Sequence, residues 1–183
     1  MNKIIIINGL IAGGKNTIGE LLAKYFNENG TKSIFYDIDK EVTVLNPKDF
    51  WKNDAETLKI WLQARKNYAK KSNDNDAEIT IIVGPFFTKA EINGFVKYVK
   101  AETLLYLYTL DTPIEVRIER NKHRVPSNDP QDIINQDANF QKMKDSLYGE
   151  IVKNDNTAEE TVKKIVDLFE KKQGTIDQKN FAY

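Results

Sequence analysis

Residues 4–17, IIIINGLIAGGKNT, set four consecutive isoleucines against a glycine-rich turn that contains a lysine. An unbroken apolar run without polar alternation suits a strand covered on both faces, as in a parallel sheet between helix layers. Gly9, Gly14 and Lys15 fit the spacing G-x-x-x-x-G-K, and the helical pattern TIGELLAKYF follows directly. Strand, turn and helix in that order build an anion cradle. Glycines permit a tight path that turns successive N–H groups inward, the helix N-terminus adds positive potential, and the lysine reaches the β and γ phosphates. The implied ligand is ATP or GTP, held by Gly9, Ala12, Gly13, Gly14, Lys15, Asn16 and Thr17.

Further apolar runs bounded by turn residues lie at 33–37 (SIFYD), 78–84 (EITIIVG) and 103–110 (TLLYLYTL), with a weaker one around Ile151 and Val152. Helical patterns fall between them. In NDAETLKIWLQARKNYAKK, Leu58, Trp61, Leu62, Arg65 and Tyr68 recur on one face behind an Asn53 cap with Glu56 three residues on. Thr88 with Glu91, and Thr157 with Glu160, repeat that capping pattern, while Pro113 and Pro130 suit first helical turns. The polar stretch KKSNDNDAE (70–78) reads as an exposed loop, and the tail TIDQKNFAY carries no assignable pattern. The alternation predicts an α/β fold: three layers, with a doubly wound, parallel, five-stranded sheet whose ligand sits at the carboxyl ends of the strands.

With 183 residues the chain has the length of one domain, residues 1–183. Its formal net charge is zero, which gives no field to draw in nucleic acid. The isoleucine run is too short to cross a bilayer and no secretory pattern precedes it, so a soluble, cytoplasmic protein without membrane partners is expected. The absence of cysteine excludes disulfide, thiolate-zinc and cysteine-nucleophile chemistry.

In the usual cradle a hydroxyl follows the lysine and touches Mg²⁺, but here Asn16 holds that place and Thr17 comes next. Asn16 could offer its amide oxygen. The preferred account has Thr17 bonding a phosphate while Mg²⁺ is held mainly by ATP and nearby carboxylates, because Mg²⁺ keeps much of its water. FYDIDKE supplies those carboxylates: Asp37 and Asp39 fall at the carboxyl edge of the second strand, at alternating positions that turn both to the same side. Phosphoryl transfer needs one group to hold metal-bound water and another to orient or deprotonate the acceptor.

The chain resembles the shikimate kinases and their P-loop kinase relatives. GLIAGGKNTIGELLAK looks like their phosphate loop and first helix, FYDIDKE like their FYDSDxE, VRIERNKHRVP like the entry to their lid, and SLYGEI like the PLYEEI that follows it. GKNT is also similar to the GKGT loops of adenylate-kinase-type enzymes, which lack the same hydroxyl. The resemblance implies a single P-loop kinase domain with an acceptor-binding region at about 40–76 and a lid at about 121–135. It implies that Asp37 fixes the hydration shell of Mg²⁺ and that Asp39 binds and activates the acceptor hydroxyl. By the same resemblance Arg117 and Arg120 lie near the nucleotide, with Arg120 against adenine, and Arg124 swings in from the lid. Lys15, Asp39 and Arg124 would then be catalytic, ATP and Mg²⁺ the cofactors, and Thr17 and Asp37 the metal-side residues.

Departures from the pattern bear on the acceptor. A single Gly84 followed by Pro85, Phe86 and Phe87 replaces a triple-glycine turn, the arginine that grips shikimate's carboxylate corresponds at best to Lys144, and no FRxxE follows PKDFWKN. An aspartate at the end of the third strand is also missing. The expectation is a small-molecule kinase acting on a hydroxyl of something other than shikimate. Trp51, Trp61, Phe86 and Phe87 are candidate pocket aromatics. A nucleoside or nucleoside monophosphate kinase is the alternative, with Arg65 and Lys66 on an acceptor phosphate and Phe86 stacking a base. A nucleotide-binding regulator without phosphotransfer is the second, and the assembly is expected to be a monomer or homodimer.

Overall fold

The computed structural model describes residues 2–45, 55–125 and 127–181. Five parallel strands, β1 (Lys3–Gly9), β2 (Ser33–Asp37), β3 (Ile79–Val83), β4 (Leu104–Asp111) and β5 (Glu150–Lys153), stand in the order β2-β3-β1-β4-β5. These are the five runs expected from the sequence. The unassigned tail adds a two-residue strand, β6 (Thr175–Ile176), antiparallel to the first half of β4. Placing β1 between β3 and β4 makes it the central strand and opens the switch point of the winding at its carboxyl end.

The isoleucine run explains the layering. Ile4 and Ile6 pack on one side with residues of α2 (Ile38–Leu45), α3 (Ala55–Asp74) and α4 (Lys89–Val96). Ile5 and Ile7 pack on the other with α1 (Lys15–Glu28) and α7 (Ala158–Glu170). A strand's side chains alternate between faces, so four adjacent isoleucines anchor both layers at once. All four are essentially inaccessible, and each contributes about 1.5–3 kcal/mol through burial of its side chain. Gly19 brings α1 down onto the sheet: a Cβ there would lie 2.5 Å from the Phe35 ring and 2.7 Å from Val83. After β4 the chain forms α5 (Ile114–Lys122) and α6 (Pro130–Met143), which pack on each other.

Both predicted capping boxes are present, Thr88 with Glu91 and Thr157 with Glu160, and Pro130 occupies the first turn of α6 behind an Asp129 cap. Two expectations around α3 need correction. The helix runs on to Asp74, through most of the stretch read as loop, because its polar residues are absorbed locally: Ser72 Oγ donates to Tyr68 O and Asn75 Nδ2 to Lys71 O. Its inner face is also rotated. Thr57, Ala64, Arg65, Tyr68 and Ala69 are buried, whereas Leu58 is 57% exposed. α3 approaches α4 closely at Gly94, where an added Cβ would meet Leu62 Cδ2 at 2.7 Å. The Asn53 cap and Trp51 lie outside the described residues.

Candidate active site

At the carboxyl end of β1 the chain turns through Ala12 (φ 57°) and Gly14 (φ 86°), both left-handed, before α1 begins at Lys15. The carbonyl of Gly13 accepts hydrogen bonds from Thr112 Oγ1 (2.9 Å) and Asn154 Nδ2 (2.8 Å). Asn154 Nδ2 also donates to Thr112 Oγ1 (2.9 Å), and its Oδ1 accepts from Thr161 Oγ1 (2.9 Å). All three side chains are buried. In a planar trans peptide the N–H of Gly14 points opposite to the Gly13 carbonyl, so pulling that carbonyl toward β4 and β5 aims the Gly14 N–H into the hollow. Three polar residues far apart in sequence thus set the direction of a cradle amide. Sequence reading missed them.

Lys15 folds over the loop, Nζ donating to Gly9 O (2.9 Å) and Leu10 O (3.1 Å), which leaves its third donor for a ligand. Its ammonium is held below the usual lysine range, chiefly by burial, while the charge of Asp39 works the other way. Asp39 mirrors it: burial pushes its carboxyl above the usual range, and Lys15 opposes that shift. Half-buried Lys15 and Asp39 are therefore near enough for each to feel the other's charge.

The route by which Asp39 gets there differs from the sequence expectation. β2 ends at Asp37, and Asp39 lies in the first turn of α2 instead of on the strand. Asp37 causes the change, its Oδ1 accepting from Asp39 N at 2.9 Å in the manner of a helix cap. Its other oxygen, Oδ2, accepts from Asn16 Nδ2 at 2.7 Å. Asp37 is thus buried with both oxygens engaged, whereas the Asp39 carboxylate has no hydrogen-bond partner among the described residues. Thr17 stands exposed on the next position of α1.

Three arginines with one sequence pattern have three fates. Arg117 is 0% exposed, its Nε donating to Thr112 O (3.2 Å) and its Nη2 to Asp137 of α6, so it braces α5 against α6 with its charge felt at Lys15. This corrects both its reading as a nucleotide contact and its reading as a solvated helix charge. Arg120 lies over the loop, with Nη1 3.0 Å from where a Gly14 Cβ would be, and that nitrogen, like Arg65 Nε and Arg117 Nη1, is buried without a partner among the described residues. A buried guanidinium donor without an acceptor beside a cradle is a fit for an anionic ligand. Arg124 is exposed, pairs with no described residue, and still adds its charge at Lys15. Asn121, next to Arg120, is bound to Asn128, Asn121 Nδ2 donating to Asn128 O (2.8 Å) and Asn128 N to Asn121 Oδ1 (3.0 Å). Gln136 of α6 reaches the cradle as well, its Oε1 accepting from Ile11 N at 3.4 Å.

Opposite the cradle, the turn after β3 is locked to β1 because Asn8 accepts from Phe86 N (3.0 Å) and donates to Phe86 O (3.3 Å). Phe86 is consequently 1% exposed and packs on Phe95, which removes it as a pocket residue or base-stacking surface. Phe87, half-buried against Phe140 of α6, and half-buried Trp61 remain as partly accessible aromatics. Arg65 is 2% exposed, its Nη2 donating to Pro85 O (2.9 Å) and Glu91 Oε1 (3.2 Å). Lys144 is bonded to Asp111 Oδ2 at 2.6 Å.

Compared with solved structures, the chain matches shikimate kinase from Aquifex aeolicus at 22% identity and a TM-score of 0.63, covering 92% of this chain and 97% of that one. This chain has the shikimate kinase fold. The same fold is seen in a gluconokinase from Sinorhizobium meliloti (15% identity, TM-score 0.64, 93% of each chain) and in the tunicamycin resistance protein of Deinococcus radiodurans (14%, TM-score 0.66, 92% of this chain and 96% of that one). No protein-family model matches the sequence, and no curated relative does.

Within this shikimate kinase fold the residues fit Mg²⁺ held largely by a nucleotide. No cluster of three or more acidic, histidine or cysteine side chains forms a metal cage among the described residues, whereas Asp37 is fixed beside the cradle and Thr17 stands near it. Mg²⁺ favours such sites, with one or two carboxylates and the remaining positions filled by phosphate and water. No described helix is long and apolar enough to cross a membrane.

Proposed function

We propose that the protein is an ATP-dependent kinase that transfers the γ-phosphoryl group to a hydroxyl of a small-molecule acceptor. The observation that carries this reading is that Lys15, bonded to the carbonyls of Gly9 and Leu10 in the cradle, lies close enough to Asp39 for each to feel the other's charge, while the Asp39 carboxylate and Arg120 Nη1 have no hydrogen-bond partner among the described residues. Both halves of the reaction have their group. The cradle amides, Lys15 and Arg120 bind the triphosphate, and Arg124 closes from the lid at about 121–135 to neutralise charge on the transferring group. Asp39 accepts a hydrogen bond from the acceptor hydroxyl and takes its proton as the new phosphorus–oxygen bond forms and the bond to the leaving ADP oxygen breaks. Mg²⁺, when bound, screens the phosphate charge. Asp37 and Thr17 are the residues that would hold it, and Asn16 keeps the Asp37 carboxylate aimed.

The nucleoside kinase alternative is weakened by the burial of Phe86 and by the prior bonds of Arg65. Incubating the protein with ATP, Mg²⁺ and a broad panel of hydroxylated metabolites tests the proposal. Acceptor-dependent ADP release that disappears in Asp39→Asn supports it. Tight ATP binding with no release on any acceptor would favour a nucleotide-binding regulator.

A further inference from the structure

Resting on the kinase reading, we infer that Gln136 of α6 is a positioning residue for the nucleotide: it fixes the Leu10–Ile11 peptide of the cradle loop, and through it the reach of Lys15. That peptide is held along both edges. Its carbonyl, Leu10 O, accepts from Lys15 Nζ (3.1 Å) and Gly13 N (3.1 Å), and its N–H, on Ile11, donates to Gln136 Oε1 (3.4 Å). The C=O and N–H of a planar trans peptide point in opposite directions, so an acceptor that fixes the N–H also fixes where the carbonyl faces. Releasing the Ile11 N–H lets this peptide turn, and the carbonyl that seats the lysine turns with it.

The helix is anchored on either side of that residue. Ile133, Gln136, Asp137 and Phe140 share one helical face: Ile133 and Phe140 are buried, Asp137 pairs with Arg117 of α5, and Phe140 meets Phe87 of the turn after β3 with ring centroids 6.3 Å apart. Half-buried Gln136 thus reaches the loop from a rigid element, which places a side chain more closely than another loop would. Asn154 and Thr112 act in the same manner on the Gly13 carbonyl, so two peptides of the cradle loop are each set by side chains from distant elements. An amide suits this place because it offers an acceptor without a charge. A carboxylate there would accept from the same N–H but repel a triphosphate, and salt would screen that repulsion.

The test measures by calorimetry the affinity of a non-hydrolysable ATP analogue for wild type, Gln136→Met and Gln136→Glu at about 0.05 and about 0.5 M salt, together with the Tm of each nucleotide-free protein. Gln136→Met keeps the length of the side chain and removes the acceptor oxygen. It should weaken binding about three- to tenfold at both salt concentrations, as loss of one hydrogen bond would, with a Tm within about 2 °C of wild type. Gln136→Glu keeps the acceptor, so its deficit should be plain at low salt and shrink to within about twofold of wild type at high salt. Wild-type affinity in Gln136→Met overturns the inference and leaves the kinase reading intact, whereas no binding of the analogue by the wild type counts against that reading itself. Should Gln136→Met also lose stability, Gln136→Glu decides. Recovery at high salt upholds the role of the oxygen, and a deficit equal to that of Gln136→Met at both salt concentrations contradicts it.

Discussion

Asn16 Nδ2 donates to Asp37 Oδ2 at 2.7 Å, so the residue that stands where a hydroxyl is usual holds a buried carboxylate in place. Asn16→Ala removes one of the two donors on that carboxylate and should cost about 1–3 kcal/mol, the range for a buried charged acceptor left short of a partner. Thermal denaturation at neutral pH should show a Tm lowered by several degrees, and an unchanged Tm would mean that the bond contributes nothing.

Asn154 is the hub behind the cradle, joining Gly13, Thr112 and Thr161. Asn154→Ala should lower stability by about 2–3 kcal/mol through the stranded buried groups. It should also weaken ATP binding, since the Gly13 carbonyl loses a restraint. Loss of stability with wild-type ATP affinity, measured by denaturation and calorimetry together, would show that the network braces the fold without aiming the amide.

Arg117 and Arg124 separate a brace from a working charge. Arg117→Met leaves Asp137 without its partner and should destabilise by about 3 kcal/mol. Exposed Arg124→Ala should stay within about 0.5 kcal/mol of wild type while turnover falls. Denaturant titration and steady-state assays of both variants check the contrast, and equal stability losses would refute it.

Burial raises the Asp39 carboxyl above its unfolded value, so its ionised form opposes folding at neutral pH. That penalty is present above the raised folded value, shrinks as pH falls through it, and is gone below the unfolded value. Asp39→Asn should accordingly have a higher Tm than wild type near pH 7–8, with the advantage shrinking as pH drops toward about 4. Turnover by the wild type should fall over the same descent as the base becomes protonated. A Tm difference independent of pH would contradict the assignment.

What the sequence disclosed was local or periodic. The isoleucine run, the cradle spacing and the two capping boxes each lie within a few residues, and each formed as expected. The exceptions depend on distant partners. Asn154 meets Gly13 across 141 residues, a link with no periodic trace in the chain. Phe86 follows a glycine and a proline and reads as a candidate pocket aromatic, but Asn8 fixes its backbone and the ring is buried. Asp37 and Asp39 have strand-like alternation, yet the carboxylate of the first caps the N–H of the second and starts a helix one residue earlier. Helical spacing could not say which of Arg117, Arg120 and Arg124 would be buried, because Asp137 and Gly14, which decide it, lie on other elements.

The most direct test compares the calorimetric affinity of a non-hydrolysable ATP analogue for wild type, Lys15→Ala and Asp39→Asn. If the cradle holds the triphosphate and Asp39 serves the acceptor, Lys15→Ala should weaken binding by at least about thirtyfold, roughly 2 kcal/mol, while Asp39→Asn stays within about twofold. Wild-type affinity in Lys15→Ala, or equal losses in both variants, would contradict the account.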